Sequence, residues 1–144
     1  MLARAIGSQG DLAHLVVRLI VGVIFVAHGL GKFQIGINTI TGFLQSVGIP
    51  AAGFFGWALP LIEIIGGLAL IFGLATRLAA LLLAIVMVVA IIKVKIAIGL
   101  IVPMAQPGVG MELDLALLAG LLAILLEGPG RFSLELGALK REVI

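Results

Sequence analysis

The stretch LAHLVVRLIVGVIFVAHGLGKF, residues 12–33, decides the fold. It is long enough for the roughly 20 residues that an α-helix needs to cross hydrocarbon, yet it carries His14, Arg18 and His28 among its apolar residues. At about 100° per residue, His14, Arg18, Phe25, Gly29 and Lys32 fall along one line, with His28 on its shoulder. One face of a membrane helix is therefore polar. A charge in hydrocarbon costs about 2.5 to 3.5 kcal/mol even on insertion scales, so these groups must be paired or face water. The run exceeds the apolar core of a secretory signal and holds a charge, which argues against cleavage there.

The rest of the chain has the same character. Of its 144 residues 62% are apolar and 11% charged, with a mean hydropathy of +1.36. Soluble domains carry about 45 to 50% apolar and about 25% charged residues. Spans are expected at residues 12–31, 54–74, 78–98 and 109–128, leaving no room for a large extramembrane domain, so residues 1–144 read as one unit. The second span holds Pro60 and Glu63, Thr76 and Arg77 turn the chain into the third, and Lys93 and Lys95 snorkel at its far end. The fourth rests on the apolar residues 115–126, extended to Glu112, Asp114 and Glu127. Between the first two spans, Ile37, Ile40, Phe43, Leu44 and Val47 recur at helical spacing, with Asn38 as N-cap and Gly48 and Pro50 as terminators. The tail, residues 129–144, mixes Arg131, Glu135, Lys140, Arg141 and Glu142 and reads as solvated or interfacial. The expected fold is all-α: a polytopic four-helix membrane bundle with a short interfacial helix between helices one and two.

Four spans put both termini on one side. Arg4, Arg18, Arg77, Arg131, Lys140 and Arg141 share it, against Lys32, Lys93 and Lys95, so the positive-inside rule places both ends in the cytoplasm. The net charge of +2 is scattered rather than clustered, which gives no surface for nucleic acid. The absence of cysteine excludes disulfides, thiolate metal sites and iron–sulfur clusters. His14 and His28 are about 21 Å apart along one helix and cannot ligate one haem iron, so a haem would need Met87, Met104 or a second copy. His28, Glu112 and Asp114 match no metal motif; no metal and no covalently bound cofactor are expected.

Gly66, Gly67, Gly73, Ala80, Ala84, Ala116, Ala119, Gly120 and Ala123 read as close-packing positions. Phe25, Phe33, Phe54, Phe55 and Trp57 form an aromatic belt or a wall for a quinone ring. On helix two, Gly56, Glu63, Gly67, Leu70 and Arg77 share a face. Helix rise sets Glu63 level with about Gly22, making Arg18 its expected bidentate partner and leaving His28 and Lys32 free for a ligand. Two readings stay open: a structural ion pair that fixes register, or the border of a cavity that handles a proton or a quinone headgroup.

Taken in order, Arg18-x3-Gly22-x2-Phe25-x2-His28-Gly29-x2-Lys32-Phe33, Gly48-Ile49-Pro50, Glu63-x2-Gly66-Gly67, Gly73-x2-Thr76-Arg77, Glu112 and Gly128-Pro129-Gly130-Arg131-Phe132-Ser133 resemble the DoxX family of small four-helix membrane proteins. Members often carry an aspartate two residues after that serine and an aromatic hydroxyl before it; Glu135 and Phe132 stand there in this chain. The resemblance implies a prokaryotic cytoplasmic membrane and a subunit of a quinone-linked oxidoreductase system, with a separate partner supplying the redox centre. Glu63 and His28 are then the candidate catalytic residues, and Arg18, Lys32, Arg77 and Glu112 the candidate ligand-binding ones. The expected partners are the bilayer, a protein or a second copy, and a quinone. The rival readings are a structural or assembly module of a membrane complex, and a small lipid-binding or permeability protein.

Overall fold

The structure is a computed structural model that describes residues 2–103 and 108–137, with side chains from residue 10 onward. The side chains of Arg4, Met104, Lys140, Arg141 and Glu142 lie outside the described residues. Among the described residues every regular element is helical: α1 (Leu2–Ile35), α2 (Ile37–Ser46), α3 (Ala52–Phe72), α4 (Thr76–Ala90), α5 (Glu112–Glu127) and the short α6 (Leu134–Gly137), with a π-helical turn at Ile91–Lys95 continuing α4. Three stretches are long and apolar enough to cross a membrane: Gly10–Ile35, Ala52–Phe72 and Thr76–Lys95. The expected fourth span is the 16-residue α5, about 24 Å long, short of the roughly 30 Å hydrocarbon core.

Packing runs α1 to α3, α3 to α4, α4 to α5 and α5 back to α1. The shared core is Val21 and Phe25 of α1, Leu70 of α3, Ala80, Leu83 and Met87 of α4, and Leu117, Leu121 and Ile124 of α5. Phe25 is thus a core residue and no part of an aromatic belt. Large apolar side chains such as Ile20, Val23, Ile65, Ile85 and Ile92 point outward, an exposed apolar surface that a water-soluble monomer does not tolerate. The protein contacts the lipid bilayer.

The α1–α3 contact is the closest. A Cβ on Gly67 would lie 2.6 Å from the Gly22 carbonyl oxygen, and one on Gly29 would lie 2.7 Å from that of Pro60, so only glycine permits the two backbones to touch. On α5 the small residues behave otherwise: Gly120 packs on Val21, but Ala116, Ala119 and Ala123 are exposed. The inward face there belongs to Leu117, Leu121 and Ile124, because α5 approaches α4 through long side chains.

Helix α2 begins one residue before the expected N-cap. Gly36, at φ 101°, takes the cap position and its carbonyl accepts from the Thr39 and Ile40 N–H groups, leaving Asn38 exposed inside the helix. Ile40 and Leu44 bury one face against Ala52, Ile49 and Leu59, as their spacing predicts. Helix α3 ends at Gly73, whose φ of 67° lets Leu74 N–H bond back to Ala69. Arg77 therefore belongs to α4 and not to the helix that carries Glu63.

Candidate functional site

Two separate groups of charges occupy the two ends of the bundle. At the α2 end, the Lys32 ammonium donates to both Glu63 carboxylate oxygens, at 2.9 and 2.6 Å. The Glu63 side chain is 3% exposed and that of Lys32 is 21%. This pairing corrects the expected Arg18–Glu63 bridge, and the reason is steric direction. Helical side chains lean toward the N-terminus of their own helix. In the antiparallel pair, Lys32 leans back toward Glu63 while Glu63 leans toward Lys32; Arg18 and Glu63 lean away from each other. The register adds to this. Gly22 meets Gly67 and Gly29 meets Pro60 and Ile64, which sets Glu63 level with about Ala27, some 13 Å along α1 from Arg18.

His28 is exposed on α1 one turn before Lys32 and lies within electrostatic reach of Glu63. Together His28 and Lys32 supply the charged or titratable edge of a cavity of about 400 Å³, whose remaining walls include Ile35 of α1, Ile40, Phe43 and Leu44 of α2, and Leu59 of α3. Helix α2 thus roofs the cavity. Phe33 and Trp57 pack beside this end with ring centroids 6.2 Å apart, and Phe54 stacks edge-on against Phe55 at 5.3 Å. A larger cavity, about 610 Å³, opens sideways between α3 and α4 and is lined by Phe54, Trp57, Leu61, Ile65, Leu78 and Leu82 among other apolar residues. It offers no titratable group.

At the tail end, α1's other charges are held by the segment whose composition reads as solvated or interfacial. Residues 128–137 fold back across the bundle. The Arg18 guanidinium, 1% exposed, donates to the carbonyl oxygens of Pro129 and, at 2.6 Å, of Phe132. The carboxylate of Glu135, 0% exposed, attracts the same guanidinium and accepts from the Thr76 N–H at 2.7 Å and the Thr76 hydroxyl at 3.3 Å. It therefore caps the first turn of α4 from a distant part of the chain. Its own N–H donates to Gly73. His14 Nδ1 lies 2.7 Å from Glu127, and Arg77 donates to the Leu125 carbonyl at 3.0 Å.

Of the six expected site residues, the structure brings His28, Lys32 and Glu63 together. Arg18 and Arg77 lie at the opposite end; Arg18 is about 21 Å from Lys32 along α1. Glu112 opens α5 and is exposed. The contacts of Gly120 with Val21 and of Glu127 with His14 run α5 antiparallel to α1, so Glu112 sits near the level of His28, but among the described residues no hydrogen bond or ion pair joins it to His28 or Lys32. In the first turn of α5 the acid that meets a cation is Asp114, 3.8 Å from Lys95, which also donates to the Val109 carbonyl. The burial of Glu135 was missed because the charged residues of the tail read as facing solvent; the one signal was its place two residues after Ser133, where the resembled family carries an acid.

The stretch bearing His14, Arg18, His28, Lys32, Glu63 and Arg77 coincides with the match to known proteins, which covers residues 13–96 and is to DoxX. The chain belongs to the DoxX family. It is 35% identical over 150 residues to an uncharacterized membrane protein, Rv3486, of Mycobacterium tuberculosis, covering 96% of this chain and 88% of that one. It is 42% identical over 86 residues to a putative oxidoreductase, CatD, of Bacillus subtilis, covering 60% of this chain and 62% of that one. No solved structure matches. Glu112 and the tail with Glu135 lie beyond the residues of the DoxX match.

Proposed function

We propose that this DoxX protein is the membrane subunit of a quinone-linked oxidoreductase system, and that the cavity at the α2 end takes the quinone headgroup. The observation that carries the reading is the cavity itself. An apolar chamber of about 400 Å³ has an ammonium and an imidazole on one edge, with a buried carboxylate directly behind the ammonium. Lys32 is placed to donate a hydrogen bond to a quinone carbonyl, and His28 at the mouth to pass a proton between that oxygen and water. Glu63 holds Lys32 in place and balances its charge. The electrons would come from or go to a partner protein, consistent with the oxidoreductase named among the relatives. Arg18, Arg77 and Glu112 have no part in this site.

The expected result is that the chain, purified gently from its membrane, carries one quinone in native mass spectrometry and that His28→Phe lowers that occupancy at least tenfold with an unchanged melting temperature. Quinone-free protein, or an occupancy that His28→Phe leaves intact, would overturn it. The competing reading, a structural module of a membrane complex, draws on the open apolar groove between α3 and α4; it predicts a bound protein and no quinone.

We further infer that α5 is the fourth span, that α2 lies at the membrane surface and that both termini are cytoplasmic. Closure of the helix ring by α5 and pairing of its Asp114 with Lys95 support this. Ser46 and Arg131 are both exposed, so single cysteines there, in a chain that has none, report sidedness. A membrane-impermeant maleimide should label Ser46→Cys on intact cells and Arg131→Cys only after permeabilisation. Labelling of both from outside would sink the topology.

A further inference from the structure

The tail reverses the polarity rule of soluble proteins. Along residues 132–136 the polar side chains are inside and the apolar ones outside: Ser133 and Glu135 are buried, while Phe132 is 55%, Leu134 44% and Leu136 39% exposed. Water does not stabilise that arrangement, since each outward side chain leaves apolar area wet at about 25 cal/mol per Å². The position of the segment says what covers it. Arg131 lies 3.9 Å from Asp11, Gly130 packs against His14, and the Phe132 carbonyl accepts from Arg18. Residues 130–132 thus stand beside the first three turns of the Gly10–Ile35 span, within the depth of the membrane helix itself. Leu122 and Leu126 of α5, the helix that leads into this segment, are exposed apolar side chains as well. Arg131, its side chain 77% exposed, marks the polar rim of the same surface.

We propose that residues 131–136 form an interfacial anchor seated on one leaflet, with Phe132, Leu134 and Leu136 in the acyl boundary and Arg131 on the phosphates of anionic lipid headgroups. An aromatic and two aliphatic side chains beside a snorkelling cation suit that boundary. The buried side of the segment is fixed to the bundle by Arg18 and by Glu135's bond to Thr76, so the anchor is rigid and ties the turn between α3 and α4 to the membrane surface.

Nitroxide labels on single cysteines test it in the full chain, reconstituted into vesicles of phosphatidylethanolamine and phosphatidylglycerol. Leu134→Cys and Leu136→Cys replace exposed side chains and should leave the fold intact. Both labels should collide several-fold more often with oxygen, which concentrates in lipid, than with a water-soluble nickel chelate, and a label at Arg131→Cys should show the reverse ratio. Nickel accessibility at residues 134 and 136 equal to that at 131 would place the tail in water and overturn the proposal. Immobile labels shielded from both reagents would mean that a protein covers the edge, and would equally overturn it.

Discussion

Lys32→Met lowers the unfolding free energy in detergent by about 3 to 5 kcal/mol, the loss typical of removing one partner from a buried ion pair. The carboxylate left behind is 3% exposed, and among the described residues Lys32 is the one cation bonded to it. Glu63→Gln costs less, about 1 to 3 kcal/mol, because the orphaned ammonium keeps a long stem and 21% exposure with which to reach the surface. The double variant Lys32→Met with Glu63→Gln recovers most of the larger loss, since neither charge remains to be desolvated. Thermal melts of the four proteins form the double-mutant cycle that reads this coupling. A parallel cycle on Arg18 and Glu63 should give additive losses, because no bond joins them. Additive losses at Lys32 and Glu63 would show instead that the pair is not formed.

The contrast between these two cycles marks how far residue patterns reach. Helical periodicity identified the inward face of α1 correctly: His14, Arg18, Phe25 and Gly29 are all buried. On α2 it grouped Ile37, Ile40, Phe43, Leu44 and Val47, of which Ile40 and Leu44 are buried and Phe43 is exposed. These are properties of one helix, fixed by its own repeat. Which charge meets which is a property of two helices, and depends on their relative slide. Levelling the two helices by rise per residue alone slid α3 by about five residues relative to the register that Gly22 and Gly67 set. The contact of two glycines is invisible to a hydropathy profile because it is an absence of side chain. Side-chain direction was legible in principle: the lean of Glu63 toward the start of α3 excludes an inward partner such as Arg18.

The burial of Glu135 was illegible for a different reason. Residues 131–137, RFSLELG, have no helical apolar stripe, and their in-and-out alternation is set by the carbonyls of Pro129 and Phe132 turning toward Arg18. Such a segment takes its shape from the charge it neutralises. A buried arginine on α1 without an acid at its own level on α3 has to be met by backbone oxygens, and the turn after α5 supplies them.

Arg18→Met should therefore release the tail. Removing the guanidinium takes the donor away from two buried carbonyl oxygens, each costing about 1 to 3 kcal/mol, so the loss is about 3 kcal/mol. The loss falls on residues 128–137, which join the bundle mainly through Arg18, Thr76, Arg77 and His14, so it appears first as local opening. Trypsin reads that opening at Arg131, whose side chain is already exposed but whose backbone lies in a tight turn. When opening is fast relative to cleavage, the rate follows the open population, and about 3 kcal/mol corresponds to a roughly 100-fold faster cut. Arg18→Lys should be intermediate, since an ammonium keeps the charge near Glu135 but lacks the planar fork that reaches two carbonyls at once. The α2 end should not respond: Lys32 is about 21 Å away along α1, and Val21, Phe25, Leu70 and Leu121 fill the bundle between them with buried apolar side chains. Cleavage at Arg131 unchanged by Arg18→Met would mean that the tail is held by its other contacts, while a loss of Lys32–Glu63 coupling in that variant would mean that the two ends of the helix communicate through the apolar layer.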